Sequence, residues 1–545
     1  MHIDVVDTEE GFDALRDNWD AIYRADPEAN IFLSWQWLDA WLDTYISPWF
    51  VLAAKRSETD PDYVGLLPLR MQTHFDADHG FSNEIVVAGA NFSDYTGILA
   101  RPECEAEAIP ALADYAMRKF NWARFSMENL LMSQQRRRLL LGGFGKARFT
   151  HAPIGYKYAD DPVDHAICPM VNLPENWDDY LGTLSANNRQ KIRRLLKKVD
   201  AAEGYRIAFS KPEDIEQNLT ILLDFWTTKW GPKKGEDKAK EIARTNRLML
   251  MRCAEDGMLL LPIFYHGDRA VALLAILVDD CKKSLSFLIT GRDETYDEMP
   301  AGYLLHAHCI RHAIEHGYAT YDFLRGNEPY KYLFAPQVRH LSAVALTTKS
   351  NRNLGGKPDP RGFFTMLDMT IKFEDEDKLA SAELGYSQIL KMEPRNALAL
   401  YRYGRLLARK GAHADAKELL SRSVEVEADG DNAWFWLARS LYSLGEDAAA
   451  LDAFHKVVAL QPDNEEARQR VVELTLKPRL PSRPATAGRT EAAKPVPASR
   501  QSSEAVRKPD TAVRDLIDAS VDPNWILKKL APQPATQLAN RKREA

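Results

Sequence analysis

Hydrophobic and polar positions change rhythm three times along this chain of 545 residues. In the first 165, helical spacing alternates with short strand-like runs. The stretch IFLSWQWLDAWLDTY sets Trp37, Leu38 and Trp41 on neighbouring turns behind Ser34, a residue type that caps helix N-termini, and predicts an amphipathic helix with core tryptophans. WFVLAAKR, YVGLLPLRMQ, NEIVVAGA and DYTGILA, with Pro and Gly between them, predict short strands. This pattern is a layered α/β or α+β unit over residues 1–165.

A second mixed unit spans 166–350. It starts with LSANNRQKIRRLLKKVD, where Ile192, Leu195, Leu196 and Val199 share one face and Arg189, Lys191, Arg193, Arg194, Lys197 and Lys198 cover the rest. The helix is amphipathic and strongly basic. A strand YRIAFS, a helix from Glu213 to Trp230, and two apolar strands, MLLLPIFYHG and RAVALLAILVDD, follow, the last two joined by a His-Gly-Asp turn. KSLSFLITG predicts a third strand, Ala301 to His316 a helix, and YATYDFLRG a final strand.

Beyond Arg361 the pattern is helical and periodic. Pro394, Ala428 and Pro462 are spaced by a fixed interval, as are Ala382, Ala416 and Ala450, while Gly411 pairs with Gly445. Trp434, Leu437, Leu441, Gly445, Ala450, Phe454 and Pro462 resemble the tetratricopeptide consensus, so residues 361–476 are expected to be about two and a half such repeats. From 477 to 545 the composition turns to Pro, Ala, Ser and Arg. This segment is expected to be a disordered basic tail, with one amphipathic island at 511–530 that predicts a short helix.

Composition narrows the function classes. The net charge of -7 provides no global field for nucleic acid phosphates. The apolar run from Met258 to Val278 is interrupted by His266, Gly267, Asp268 and Arg269, so no membrane insertion is expected. The acidic N-terminus lacks a basic segment followed by an apolar one, which predicts a cytoplasmic protein. Five scattered cysteines without a CxxC spacing predict reduced thiols, and no metal site is expected.

Candidate chemistry concentrates in YDFLRGNEPYKY, Tyr321 to Tyr332. An acidic strand residue leads into a loop with Arg325, Gly326, Glu328 and Lys331, placing opposite charges at a strand end. An ion pair of Asp322 with Arg325 or Lys331 is the structural alternative. With LSANNRQKIRRLLKK upstream and PAGYLLHAHCIRHAIEHG just before it, this run resembles the CelD/BioF-type branch of the GNAT acyltransferases, related to the FemABX aminoacyl transferases. The resemblance covers roughly residues 10–345. It implies two tandem GNAT-like folds and transfer of an acyl group, with acyl-CoA as co-substrate and no bound cofactor.

Ordinary GNAT enzymes hold the CoA pyrophosphate on backbone N–H groups where a Gly-rich loop opens a helix. The matching segment is GRDETYDEMPAGYLL, which assigns donor binding to Pro300, Ala301, Gly302 and Tyr303; Glu294, Asp297 and Glu298 in the same segment oppose an anion. Acyl transfer needs groups that take a proton from the acceptor and return one to the leaving group. Tyr296, Asp322, Glu328 and Tyr332 are the available types, with Asp322 or Glu328 as base and Arg325 or Lys331 for an acceptor phosphate or the oxyanion. His306 and His308 cannot both face the sheet and are expected to be core or surface residues. Asn188, Arg189 and Arg193 on the basic helix are the candidates for substrate contact.

These features point to an acyltransferase acting on an amine or hydroxyl of a small-molecule or saccharide acceptor, in polysaccharide or cell-envelope precursor synthesis, with a protein partner on the repeats. An aminoacyl-tRNA-dependent transferase is the alternative within the same fold. A non-catalytic tetratricopeptide scaffold is the alternative from another class.

Overall fold

Two mixed sheets and a helical array carry the hydrophobic patterns of the chain in this computed structural model, which describes residues 1–44, 47–145, 149–156, 162–201 and 204–477. In the first sheet, β1 (His2–Val6), β2 (Trp49–Lys55), β3 (Tyr63–Asp76) and β4 (Gly80–Val87) run antiparallel in order. The short β5 (Leu99–Ala100) pairs β3, β6 (Arg124–Leu130) lies parallel to β4, and β7 (Phe149–Pro153) forms the far edge. Helices α1 (Glu9–Ala14), α2 (Arg16–Ala25), α3 (Trp35–Thr44), α4 (Glu105–Lys119) and α5 (Gln134–Gly143) complete this part. Ser34 caps α3 by accepting the Trp37 N–H, and Trp37 and Trp41 are fully buried, as their spacing predicts. DYTGILA, by contrast, gives only the two residues of β5, because its first half is drawn into the gap beyond β6.

The second sheet runs β15-β8-β14-β13-β12-β11-β9. Its strands are β8 (Ile167–Asn172), β9 (Tyr205–Phe209), β10 (Leu259–Leu260), β11 (Pro262–His266), β12 (Arg269–Asp279), β13 (Ser284–Arg292), β14 (Thr320–Asp322) and β15 (Gln337–His340). Around it lie α6 (Trp177–Thr183), α7 (Ala186–Ala201), α8 (Ile215–Lys234), α9 (Glu236–Glu255) and α10 (Ala301–Glu315). The face of α7 formed by Ile192, Leu195, Leu196 and Val199 is buried, as its periodicity requires. The helix expected to end at Trp230 continues through Pro232 to Lys234, and a second helix, α9, follows where none was foreseen. Its buried Ala239, Met249, Leu250 and Cys253 are too sparse to stand out as an apolar stripe. α8 lies directly on β13, since a Cβ on Gly291 would stand 2.2 Å from the Leu222 carbonyl oxygen.

The division at residue 165 does not separate the two sheets. β16 (Ser342–Thr348), within the second expected unit, returns to the first sheet and pairs with β6 and β7. One core joins Phe12, Trp19, Trp37 and Tyr95 of the first part to Cys168, Met249, Leu277 and Leu324 of the second. Four of the five cysteines are buried and all are free; Cys281 is exposed.

The helical array comprises α11 (Phe363–Asp375), α12 (Leu379–Met392), α13 (Ala397–Arg409), α14 (His413–Val426), α15 (Asp431–Ser443), α16 (Asp447–Leu460) and α17 (Glu465–Leu476). That is three helix pairs and a capping helix, more than the two and a half repeats expected, because the first copy folds as a full pair without the consensus aromatics. The array shares a core with the β3–β4 hairpin. The Phe75 and Phe373 rings pack tilted with their centres 4.5 Å apart, and the Phe81 N–H donates to the Gln388 side chain at 2.7 Å. The expected tail and its 511–530 helix lie outside the described residues. Among the described residues no helix is long and apolar enough to cross a membrane.

Candidate acyl-transfer site

The two sheets repeat one device, a parallel strand pair joined through a helix, and differ in what lies beyond its end. In the second sheet β13 and β14 pair only from Ser284–Thr320 to Ser286–Asp322. β13 then runs on to Arg292 with a bulge at Leu288, between the Phe287–Ile276 and Ile289–Ala275 pairs, and no described strand takes its β14-facing edge. In the first sheet β4 and β6 likewise part after Val86–Ser126. There the chain fills its own gap. Thr96 donates its N–H to the Asn129 carbonyl at 2.8 Å and accepts from the Leu131 N–H at 3.0 Å. Among the described residues the edge of β13 beyond Ser286 is therefore open, whereas the matching edge of the first sheet is occupied.

α10 starts where β13 ends, and its first turn holds the predicted donor residues. Pro300 is the N-cap, Ala301 is buried, and the position a side chain on Gly302 would occupy is empty space. Tyr303 is 8% exposed, yet its phenol oxygen has no hydrogen-bond partner among the described residues, and burial pushes its pKa up to about 12. The acids of the preceding loop are mostly engaged. Glu294 is gripped by Arg292 at 2.8 and 3.0 Å and lies 3.5 Å from Lys229. Glu298 accepts from the Tyr205 phenol at 3.0 Å and lies 3.4 Å from His266. Asp297 is exposed. Tyr296 belongs to that group too, packed against Phe264 and His266 and apart from the signature loop.

Side chains of the signature alternate between the two faces of the sheet. Tyr321 faces α10 and its phenol meets Nδ1 of His306 at 2.9 Å. His306 is enclosed by Phe287, Phe323, Tyr330 and Phe334; burial, reinforced by the Lys331 charge, pushes its pKa down to about 3, so it is a neutral core residue. Asp322 faces the first sheet. Its carboxylate accepts from the Tyr95 phenol at 3.0 and 3.1 Å and from the Leu324 N–H at 2.9 Å, and pairs with Arg339. The partner expected in sequence, Arg325 or Lys331, is replaced by Arg339 because β14 and β15 flank β8 on opposite sides.

Lys331 is 2% exposed. Its ammonium donates to the carbonyls of Arg325 at 2.7 Å and Gly326 at 3.1 Å and forms an ion pair with Glu328 at 2.9 Å, so its charge is committed inside the loop. The clamp holds a strained turn, with Leu324 at φ 56 and Gly326 at φ 100. Asn188 assists by donating to the Leu333 carbonyl at 3.0 Å. Tyr332 is exposed, and Arg193 pairs on the surface with Asp178 at 3.3 Å. Arg189 is half-buried, and Lys191, not singled out for contact, lies 4.6 Å over the Tyr303 ring.

Arg325 lies over the Tyr156 ring, and its backbone N–H donates at 3.2 Å to Asp94 of the first sheet's loop. Burial pushes the Asp94 carboxyl above the usual carboxylate range, while the Arg325 charge and N–H pull against it. A carboxyl of raised basicity beside the signature was missed in sequence. Its run, SDYTG, reads as a strand start, and nothing local connects it to a position 231 residues away.

Residues 186–332 match the family model described as an acetyltransferase (GNAT) domain, and residues 431–464 match that of a tetratricopeptide repeat. The chain thus contains a GNAT-type acetyltransferase domain and tetratricopeptide repeats. Among solved structures it is similar to FemX, at 12% identity and a TM-score of 0.45 over 61% of this chain and 95% of that one. It is similar to a conserved protein of unknown function from Bacteroides thetaiotaomicron, at 15% identity and a TM-score of 0.39 over 64% and 100%. The repeats are similar to the MamA protein, at 23% identity and a TM-score of 0.20 over 21% of this chain and 61% of that one. No curated protein matches.

Proposed function

We propose that the protein transfers an acyl group from acyl-CoA to an amine or hydroxyl of a small-molecule or saccharide acceptor, as in polysaccharide or cell-envelope precursor synthesis. The free edge of β13 beyond Ser286, leading to the start of α10, is the observation that carries this reading. A pantetheine arm has amides that can pair with that edge, and the helix start offers backbone N–H groups to a pyrophosphate. Of the loop acids that opposed an anion, Glu294 is held by Arg292 and Lys229 and Glu298 by Tyr205 and His266, while Asp297 is exposed.

In the reaction the acceptor nitrogen or oxygen attacks the thioester carbonyl, a C–N or C–O bond forms and the C–S bond breaks. The acceptor's proton passes to Asp94, whose raised basicity suits it as a base, and the thiolate takes a proton from solvent. Asp322 with Arg339 and Lys331 with Glu328 shape the loop that presents this face. The acceptor reaches the site from the first-sheet side, where Asp94 and Arg325 stand.

Calorimetric titration with acetyl-CoA and a longer acyl-CoA, followed by thiol release in the presence of amine and hydroxyl acceptors, tests the reading. Saturable binding and acceptor-dependent thiol release are expected. Absence of heat with either donor, together with salt-sensitive binding of aminoacyl-tRNA, would replace it with the tRNA-dependent alternative.

A further inference from the structure

The C-terminal end of α8 gathers three lysines around one indole, two of them without an acidic partner among the described residues. The ammonium groups of Lys229, Lys233 and Lys234 lie 5.6, 5.1 and 5.9 Å from the ring centre of Trp230. Lys229 reaches Glu294 at 3.5 Å, which ties the cluster to the loop between β13 and α10. Lys233 and Lys234 are exposed, and no ion pair joins either to an acid among the described residues, although Glu236 and Asp237 follow closely in the chain. A helix C-terminus favours cations, which accounts for lysines being tolerated there. It does not account for a half-buried indole set among three of them.

We propose that this cluster binds the 3′-phosphoadenosine end of the donor, with Lys233 and Lys234 on the 3′-phosphate and Trp230 against the adenine. The inference rests on the acyl-CoA reading and adds where the nucleotide is recognised. A phosphate monoester is a dianion with three strong acceptors, which suits two free ammonium groups. An indole offers a stacking face to any purine, and its own attraction for cations keeps the lysines gathered when the site is empty. Lys229 is already committed to Glu294. There it helps Arg292 to neutralise a carboxylate that would otherwise repel phosphates between this cluster and the start of α10.

The test is titration of the full chain with CoA and with 3′-dephospho-CoA, which differ only in the phosphate assigned to the cluster. The wild type is expected to prefer CoA by roughly tenfold or more, as for loss of charged hydrogen bonds. In Lys233→Gln/Lys234→Gln that preference should vanish while 3′-dephospho-CoA binds as it does to the wild type. Trp230→Leu should weaken both ligands alike. Equal affinity of the wild type for the two ligands, or a preference surviving in the double variant, overturns the inference while leaving the acyl-CoA reading standing. Binding of neither ligand to the wild type overturns both.

Discussion

Asp322 and Arg339 form an ion pair at the junction of the two sheets, with the Tyr95 phenol donating to the same carboxylate. The acid of the signature motif is thereby tied to β15 and to a tyrosine of the first part. Its lone pairs serve the join between the two parts as well as the strand end.

Breaking this pair from one side leaves a largely desolvated charge. Asp322→Asn is expected to lower stability by about 3 kcal/mol, the lower end of the range for buried pairs because Arg339 retains some exposure. Adding Arg339→Met should recover part of the loss. Urea denaturation of the two single variants and the double variant measures the coupling, and strictly additive effects would show that the pair contributes nothing to stability.

Asp94→Asn should reduce kcat/KM by roughly 10²–10⁴ if this carboxyl takes the acceptor's proton. In the wild type the rate should rise with pH through the raised Asp94 pKa, and in the variant that limb should be flat. The sign for stability is opposite. Because the fold disfavours the ionised form, stability is lost as pH rises from the unfolded value of 3.8 through the folded one, so at neutral pH the variant should melt no lower than the wild type. A rate loss accompanied by lower melting temperature would point to structural damage.

The repeats cannot be removed without cost to the first sheet. Truncation after Gly356 strips Phe75 and Phe81 of their cover and removes Asp359, whose side chain accepts from the Asn121 N–H at 3.0 Å. The expected product aggregates or melts well below the full chain. Gln388→Ala, a milder probe, leaves the Phe81 N–H unpaired and should cost about 1–2 kcal/mol. A truncated chain with undiminished melting temperature and thiol release would show the array to be separable.

His306 should contribute to acid sensitivity. The fold holds it neutral down to about pH 3, whereas the unfolded chain takes a proton near 6.5, so stability is lost as pH falls from 6.5 towards 3. Between pH 7 and pH 5 this group alone should remove about 2 kcal/mol. His308 and His312, both lowered to about 4 mainly by burial, add to the decline. Urea midpoints at the two pH values should converge in His306→Gln relative to the wild type; an unchanged pH dependence would place His306 in a protonated state in the fold.

Periodicity and motif spacing sufficed for much of this. The buried face of α7, the capped tryptophan helix α3, the 34-residue recurrence of the helical array and the strand ending at Asp322 are all local patterns, enforced by 1.5 Å and 3.3 Å rises that fix which neighbours share a face. The resemblance of the YDFLRGNEPYKY run lies in the same local record. Tertiary structure decided the rest. That Asp322 meets Arg339 and not Arg325, that Asp94 stands beside Arg325, that β16 returns to the first sheet and that Phe81 is covered by the repeats depend on partners brought together only by sheet order and packing. No residue's own neighbourhood in the sequence specifies such a partner. Many pairings would satisfy its charge or bury its ring, and the closed core selects one.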